Sequence, residues 1–70
     1  MRRAQLHSER VGEALIGKLE SDANVVAEAE GITVRIACRE GVHFPLRTSY
    51  QPSRVNLTIE DGMVTAVSVG

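Results

Sequence analysis

The stretch RVNLTIEDGMVTAVSV, residues 54–69, constrains the fold more than any other part of the sequence. Two runs in which apolar and polar residues alternate flank Asp61-Gly62, a dipeptide typical of a two-residue β-hairpin turn. Pairing Glu60 with Met63 across this turn predicts which side chains share a face. The predicted core face consists of Val55, Leu57, Ile59, Val64 and Ala66, and the opposite face of Arg54, Asn56, Thr58, Thr65 and Val67.

A second alternating segment, residues 32–40, predicts another half-buried strand. Its predicted core face consists of Ile32, Val34, Ile36 and Cys38. On this face Cys38 is interpreted as a small buried apolar residue rather than a reactive thiol.

Two segments upstream of this strand have helical spacing. Residues 20–31 predict a helix with Ser21 or Asp22 as its N-cap and Gly31 in the left-handed position after its end. The adjacent valines in this segment leave a strand as the alternative. Residues 3–16 predict an additional N-terminal helix.

The chain length limits how these elements can be arranged. Seventy residues form one domain near the lower size limit for a hydrophobic core. Because the only aromatic residues are Phe44 and Tyr50, we expect aliphatic side chains to fill the core. The order of elements predicts an α+β fold, in which one main helix packs on a small mixed sheet that ends in a β-hairpin, with a possible extra helix within residues 1–17.

Between the predicted strands lies a long crossover, residues 40–53, which the pattern leaves without regular structure. Loops of this length in compact domains are usually functional or disordered. The apolar residues and the two prolines, Pro45 and Pro52, argue against disorder. We therefore interpret the crossover as a functional loop.

Several classes of function have little support in the sequence. Cys38 is the only cysteine, so no intramolecular disulfide forms, and with no apolar leader or membrane-length run we expect a cytoplasmic protein. His7 and His43 lie far apart in the sequence, so we expect no metal site and no cofactor. Cys38 and His43 could form a nucleophile–base pair, but no third group is present to orient it, so we expect no enzyme activity. A net charge of −1 argues against binding to nucleic acid or membranes.

The segment TSYQPSRVNLTIEDGMVTAVSVG resembles the potato inhibitor I superfamily of serine-proteinase inhibitors, and most closely its bacterial and fungal peptidase-inhibitor branch. The similar pattern is an aromatic residue, Tyr50, then Arg54-Val55-Asn56-Leu57, a hairpin turn and a final glycine. LIGK at residues 15–18 is similar to the segment before the helix of that family. The similarity covers about residues 15–70.

This resemblance implies a single domain over residues 1–70 with a binding loop, residues 42–50, strung between two parallel strands. The implied protease-binding residues are His43, Phe44, Pro45, Leu46, Arg47, Thr48, Ser49 and Tyr50. The implied scissile bond is Thr48–Ser49, with Thr48 as the specificity residue. Arg54 and Asn56 match the positions that support the loop from below.

The sequence also departs from the family pattern. Gly41 stands nine residues before Tyr50 instead of the usual seven, which makes Arg47–Thr48 the alternative scissile bond. Ala4 and Val69 stand where the branch commonly has cysteines. The alternative function is therefore a non-inhibitory protein-interaction module on the same fold, and for either function we expect a monomer or a weak dimer.

Overall fold

The helices and strands follow the predicted order along the chain. A computed structural model describes residues 2–45 and 49–70. Its elements are α1 (Arg2–Leu15), α2 (Glu20–Ala29), β1 (Thr33–Arg39), β2 (Val42–His43), β3 (Arg54–Glu60) and β4 (Met63–Val69). The strands form one mixed sheet in the order β2-β1-β3-β4, in which β1 and β3 are parallel and the other pairs antiparallel. The predicted α+β class is confirmed, and both predicted helices form.

One face of the sheet packs against the two helices. The buried cluster between them is aliphatic, as expected, and consists of Val11, Leu15, Ala23, Ala27, Ile32, Val55, Leu57, Ile59 and Val64. Gly12 lies where α1 comes closest to β4, since a Cβ at this position would lie 3.2 Å from a methyl group of Val67. The absence of a side chain at residue 12 therefore allows close packing of helix on sheet.

The hairpin between β3 and β4 has the predicted turn, but the predicted assignment of side chains to the two sheet faces does not hold along all of β4. Asp61 and Gly62 both have positive φ, 52° and 75°, and Glu60 pairs with Met63. A β-bulge at Thr65 then adds one residue to β4, so that Ala66 pairs with Thr58 and Val67 with Leu57. Because an extra residue reverses the alternation, the predicted faces of Ala66 and Val67 were wrong.

A second bulge, at Ala37, changes the far half of β1. After it Cys38 pairs with Thr58, and Arg39 pairs with the core residue Ile59. Cys38 is buried as predicted, at 7% exposure, but on the sheet face away from the helices, so its predicted face was wrong. Arg39 consequently lies on the helix side, where it forms an ion pair with Glu20 at the start of α2.

The start of α2 is stabilised by a distant turn rather than by a local cap. The N-cap residue is Leu19, without a side-chain cap, so the prediction of Ser21 or Asp22 was wrong. Instead the Glu20 amide donates to the carbonyl oxygen of Gly62, at 2.9 Å. At the other end of α2, Gly31 has a φ of 72°, which confirms the predicted left-handed position.

The predicted irregular crossover is shorter than expected, because a second tight turn precedes it. Glu40 and Gly41 have positive φ, 50° and 81°, and return the chain as the short strand β2. The Glu40 carboxylate accepts hydrogen bonds from the amides of Asp61 (2.9 Å) and Gly62 (3.2 Å), which joins the two turns at one end of the sheet. No helix in the described part of the chain is long and apolar enough to cross a membrane.

Candidate functional site

The candidate loop leaves the sheet at the end of β2 and returns at the start of β3. Val42 and His43, its first two residues, belong to β2, and the Phe44 amide donates to the Ala37 carbonyl oxygen at 2.9 Å. The remaining described loop residues are exposed: Phe44, Pro45, Ser49 and Tyr50. Leu46, Arg47 and Thr48 lie outside the described residues, so neither candidate scissile bond is described in full.

Arg54 joins the downstream part of this loop to the sheet. Its Nη2 donates to the Ser49 carbonyl oxygen at 2.6 Å and to the Gly70 carbonyl oxygen at 2.6 Å. Its Nε donates to the same Gly70 oxygen at 3.1 Å. The guanidinium group therefore bridges Ser49 and Gly70.

Asn56, the second implied support, has different partners. Its Oδ1 accepts from Nε of Arg35 at 2.8 Å, and its Nδ2 donates to the Ser68 hydroxyl at 3.4 Å. Among the described residues, its side-chain hydrogen bonds do not reach the loop. Arg35 in turn donates from Nη2 to the Gly70 carbonyl oxygen at 3.2 Å, so Asn56 acts by orienting Arg35.

Sequence reasoning did not find Arg35 as part of this site. The residue is one of several polar positions on an alternating strand, and nothing local distinguishes it. Its position depends on the parallel pairing of β1 with β3, which sets Arg35 beside Asn56. That pairing joins segments that are distant in the chain and has no signal in the local pattern.

Two positive charges meet at the Gly70 carbonyl oxygen. Desolvation, and then the nearby charge of Arg54, lower the pKa of Arg35 below its ordinary value. A guanidinium group nevertheless stays protonated at any physiological pH. In the described part of the chain, the ion pair Arg39–Glu20 and the 3.4 Å contact between His7 Nε2 and Glu30 Oε1 both lie elsewhere. The two guanidinium groups donate to oxygens of Ser49, Asn56 and Gly70, an arrangement that holds this backbone in place.

Further contacts anchor the chain on the downstream side of the loop. The Ser8 hydroxyl, fully buried on α1, donates to the Pro52 carbonyl oxygen at 2.6 Å. The Thr33 amide donates to the Ser53 carbonyl oxygen at 2.9 Å. The Tyr50 ring lies against Gly70, where a Cβ would approach its Cδ1 to 3.2 Å. The downstream end of the loop is therefore held by contacts with α1, β1, β3 and the residue that follows β4.

Replacing Ser8 by alanine is expected to lower the free energy of unfolding by about 0.5–1.5 kcal/mol, because the Pro52 carbonyl would lose the buried Ser8 hydroxyl as its hydrogen-bond donor. Urea denaturation followed by circular dichroism measures this change. Ser21→Ala is the matched control, since Ser21 is exposed and makes no capping bond. Equal stabilities of the two variants would show that the Ser8–Pro52 bond has no net effect.

The described residues contain no group of three or more His, Cys, Asp and Glu side chains placed to hold a metal ion. Cys38 and His43 are neighbours across β1 and β2, but the cysteine is buried while the histidine is exposed. The main feature of the site is thus a loop whose described residues are exposed and whose ends are hydrogen-bonded to the rest of the fold. Compared with protein-family models, with curated proteins and with solved structures, the chain has no match in any of the three.

Proposed function

We propose that this chain is a serine-proteinase inhibitor-like protein that binds a subtilisin-, elastase- or trypsin-type protease through residues 42–50. The single observation that supports this most is the 2.6 Å hydrogen bond from Arg54 to the Ser49 carbonyl oxygen. It holds the backbone immediately downstream of the Thr48–Ser49 bond. If the scissile bond is instead Arg47–Thr48, the hydrogen-bonded Ser49 carbonyl lies one residue further downstream of that bond.

The value of this hydrogen bond follows from how a substrate-like inhibitor works. Such a protein enters the protease as an extended substrate, and binding is tighter when the loop is already ordered before contact. After acylation, the new amino terminus must stay beside the acyl-enzyme so that the peptide bond re-forms. A charged donor makes a stronger hydrogen bond than a neutral one, so Arg54 is well suited to keep Ser49 in place.

The other contacts that hold the loop support the same function. Arg54 is itself oriented by Gly70, which also receives the Arg35 guanidinium. Upstream, the hydrogen bond from Phe44 to Ala37 fixes where the loop leaves the sheet. The loop is therefore anchored on both sides while the described residues between the anchors are exposed.

The choice of target depends on which residue enters the specificity pocket of the protease. Thr48 suits the small or shallow pockets of elastase- and subtilisin-like enzymes. Arg47 suits a trypsin-like pocket that contains a carboxylate. Arg47→Ala separates the two possibilities, because it abolishes inhibition only if Arg47 is the specificity residue.

Titration of trypsin, chymotrypsin, elastase and subtilisin with the folded protein tests the proposal. We expect stoichiometric inhibition of at least one enzyme, with slow cleavage at one bond that mass spectrometry locates between residues 47 and 49. No inhibition at micromolar protein, or rapid complete cleavage of the loop, would contradict the proposal. The same fold would then serve as the non-inhibitory interaction module.

A further inference from the structure

The outer edge of β4 is partly covered by the chain itself. The Gly17 amide donates to the Val64 carbonyl oxygen at 2.8 Å, and the Val64 amide donates to the Lys18 carbonyl oxygen at 2.9 Å. Leu19 forms an antiparallel bridge with Met63. The linker between α1 and α2 thus pairs with the first half of β4 as a short added strand.

The second half of this edge has unpaired backbone groups. The Gly70 amide donates inward, to the Arg54 carbonyl oxygen. Since backbone groups alternate in direction along an antiparallel strand, those of Ser68 also face β3 and those of Val67 and Val69 face outward. In the described chain no segment pairs with β4 beyond the linker. The sequence of β4, MVTAVSV, also contains no charged residue and no proline, the residues that usually prevent an exposed sheet edge from pairing with another chain.

A groove of about 520 Å³ runs beside this open edge, between β4 and α1. Val67 and Val69 contribute to its floor. Gln5, Glu9 and Glu13, spaced four residues apart on α1, form a row along its wall. No basic residue is among the described residues that line it. The groove thus combines an open strand edge with a negatively charged wall.

We infer that the Val67–Val69 edge of β4, together with Glu9 and Glu13, is a docking site for a basic extended peptide of another protein, which binds as a fifth strand. Backbone hydrogen bonds to an open edge provide affinity in this mode, and side chains at alternate positions provide specificity. The alternate side chains that point toward α1 would be lysine or arginine. This inference does not depend on the protease-inhibitor proposal.

The wall charges favour such a peptide over a second copy of this chain. Symmetric antiparallel pairing of two β4 edges sets both α1 helices on the same face of the joined sheet. Glu9 and Glu13 of the two copies would then lie on the same face of that sheet, and like charges brought together at an interface disfavour association. A basic strand has no such repulsion.

The experiment is a titration with a capped heptapeptide of alternating lysine and valine, Lys at positions one, three, five and seven. We expect saturable binding with a dissociation constant of about 0.1 mM. Amide hydrogen exchange should slow at Val67 and Val69. Two control peptides separate charge from strand pairing. One has glutamate in place of lysine, and the other keeps the lysines but is N-methylated at alternate backbone nitrogens; neither should bind.

Variants of the protein test the same two contributions, charge attraction and strand pairing. Glu9→Lys/Glu13→Lys is expected to weaken binding about tenfold or more, whereas Glu28→Lys/Glu60→Lys, with the same net charge away from the groove, is not. Val69→Pro removes the outward-facing backbone amide of residue 69, at an edge strand where proline is tolerated, and should also weaken binding about tenfold. Val69→Ala keeps this amide and should bind as the wild-type protein does.

Two results would overturn the inference. The first is equal binding of the lysine–valine peptide and its N-methylated form, which would mean attraction by charge alone. The second is no saturable binding up to millimolar peptide. If in that case the Val67 and Val69 amides exchange slowly in the free protein and sedimentation shows a dimer, the occupant of the edge is a second copy.

Discussion

Arg54→Ala is expected to weaken the proposed protease inhibition about 100-fold, equivalent to about 2.8 kcal/mol, and to make the protein a substrate of the protease. The variant loses the donor to Ser49 and both hydrogen bonds to Gly70. Hydrogen bonds from charged groups contribute about 1.5–3 kcal/mol each, and these share one side chain, so their effects do not simply add. Inhibition constants and the rate of loop cleavage, measured with whichever protease the wild-type protein inhibits, provide the test.

Two controls make this result interpretable. Arg54→Lys keeps the positive charge but lacks the planar guanidinium group with its several donors, so we expect a loss of inhibition smaller than that of Arg54→Ala. Arg10→Ala removes an exposed arginine from α1 and should leave inhibition unchanged. If Arg54→Ala inhibits as tightly as wild type, the bridge to Ser49 is not what orders the loop. Faster amide exchange at Tyr50 and Gln51 in Arg54→Ala would report the loss of order even without a protease.

Leu57→Ala is expected to lower the free energy of unfolding by about 2–5 kcal/mol, the usual range for removing a buried leucine side chain. Leu57 is 0% exposed and lies in β3, between its neighbours β1 and β4. A domain of this size has a total stability of roughly 3.5–10 kcal/mol, so this substitution removes a large share of it and should lower the urea concentration at the unfolding midpoint. Urea denaturation at 25 °C, followed by circular dichroism, measures the change.

Leu6→Ala is the matched control for this substitution. Leu6 is 51% exposed on α1 and should change stability by no more than about 0.5 kcal/mol, as expected for surface positions. Similar losses for Leu6→Ala and Leu57→Ala would contradict the assignment of the core to the cluster around β3.

The sequence was most informative about elements defined by neighbouring residues. The Asp61-Gly62 turn, the left-handed Gly31 and the buried row of β3 were all predicted correctly. Each depends on a local cause: a dipeptide that adopts positive φ, or an alternation that separates apolar from polar side chains.

The errors have a common physical cause, namely contacts between distant segments. The bulges at Ala37 and Thr65 reverse the alternation in β1 and β4. Neither residue is a glycine or proline that would signal a bulge. The missed start of α2 is similar, because Gly62, far along the chain, provides the acceptor for Glu20.

In the candidate site, too, local features could be predicted from the sequence and long-range contacts could not. Arg54 could be assigned from the hairpin phase, since it precedes the buried Val55 and therefore lies on the opposite face. Its hydrogen-bond acceptors, Ser49 and Gly70, could not be assigned in that way, nor could Arg35, which donates to the same Gly70 oxygen. These groups meet only after β1 and β3 pair in parallel and β4 returns beside them. The sequence alone determined the helices, the strands β1, β3 and β4, the aliphatic core and the sheet face on which Arg54 lies, since these follow from short-range propensity and periodicity. Only the tertiary structure decided the hydrogen-bonded base of the loop and the open edge of β4, because strand order and register depend on contacts between segments far apart in the chain.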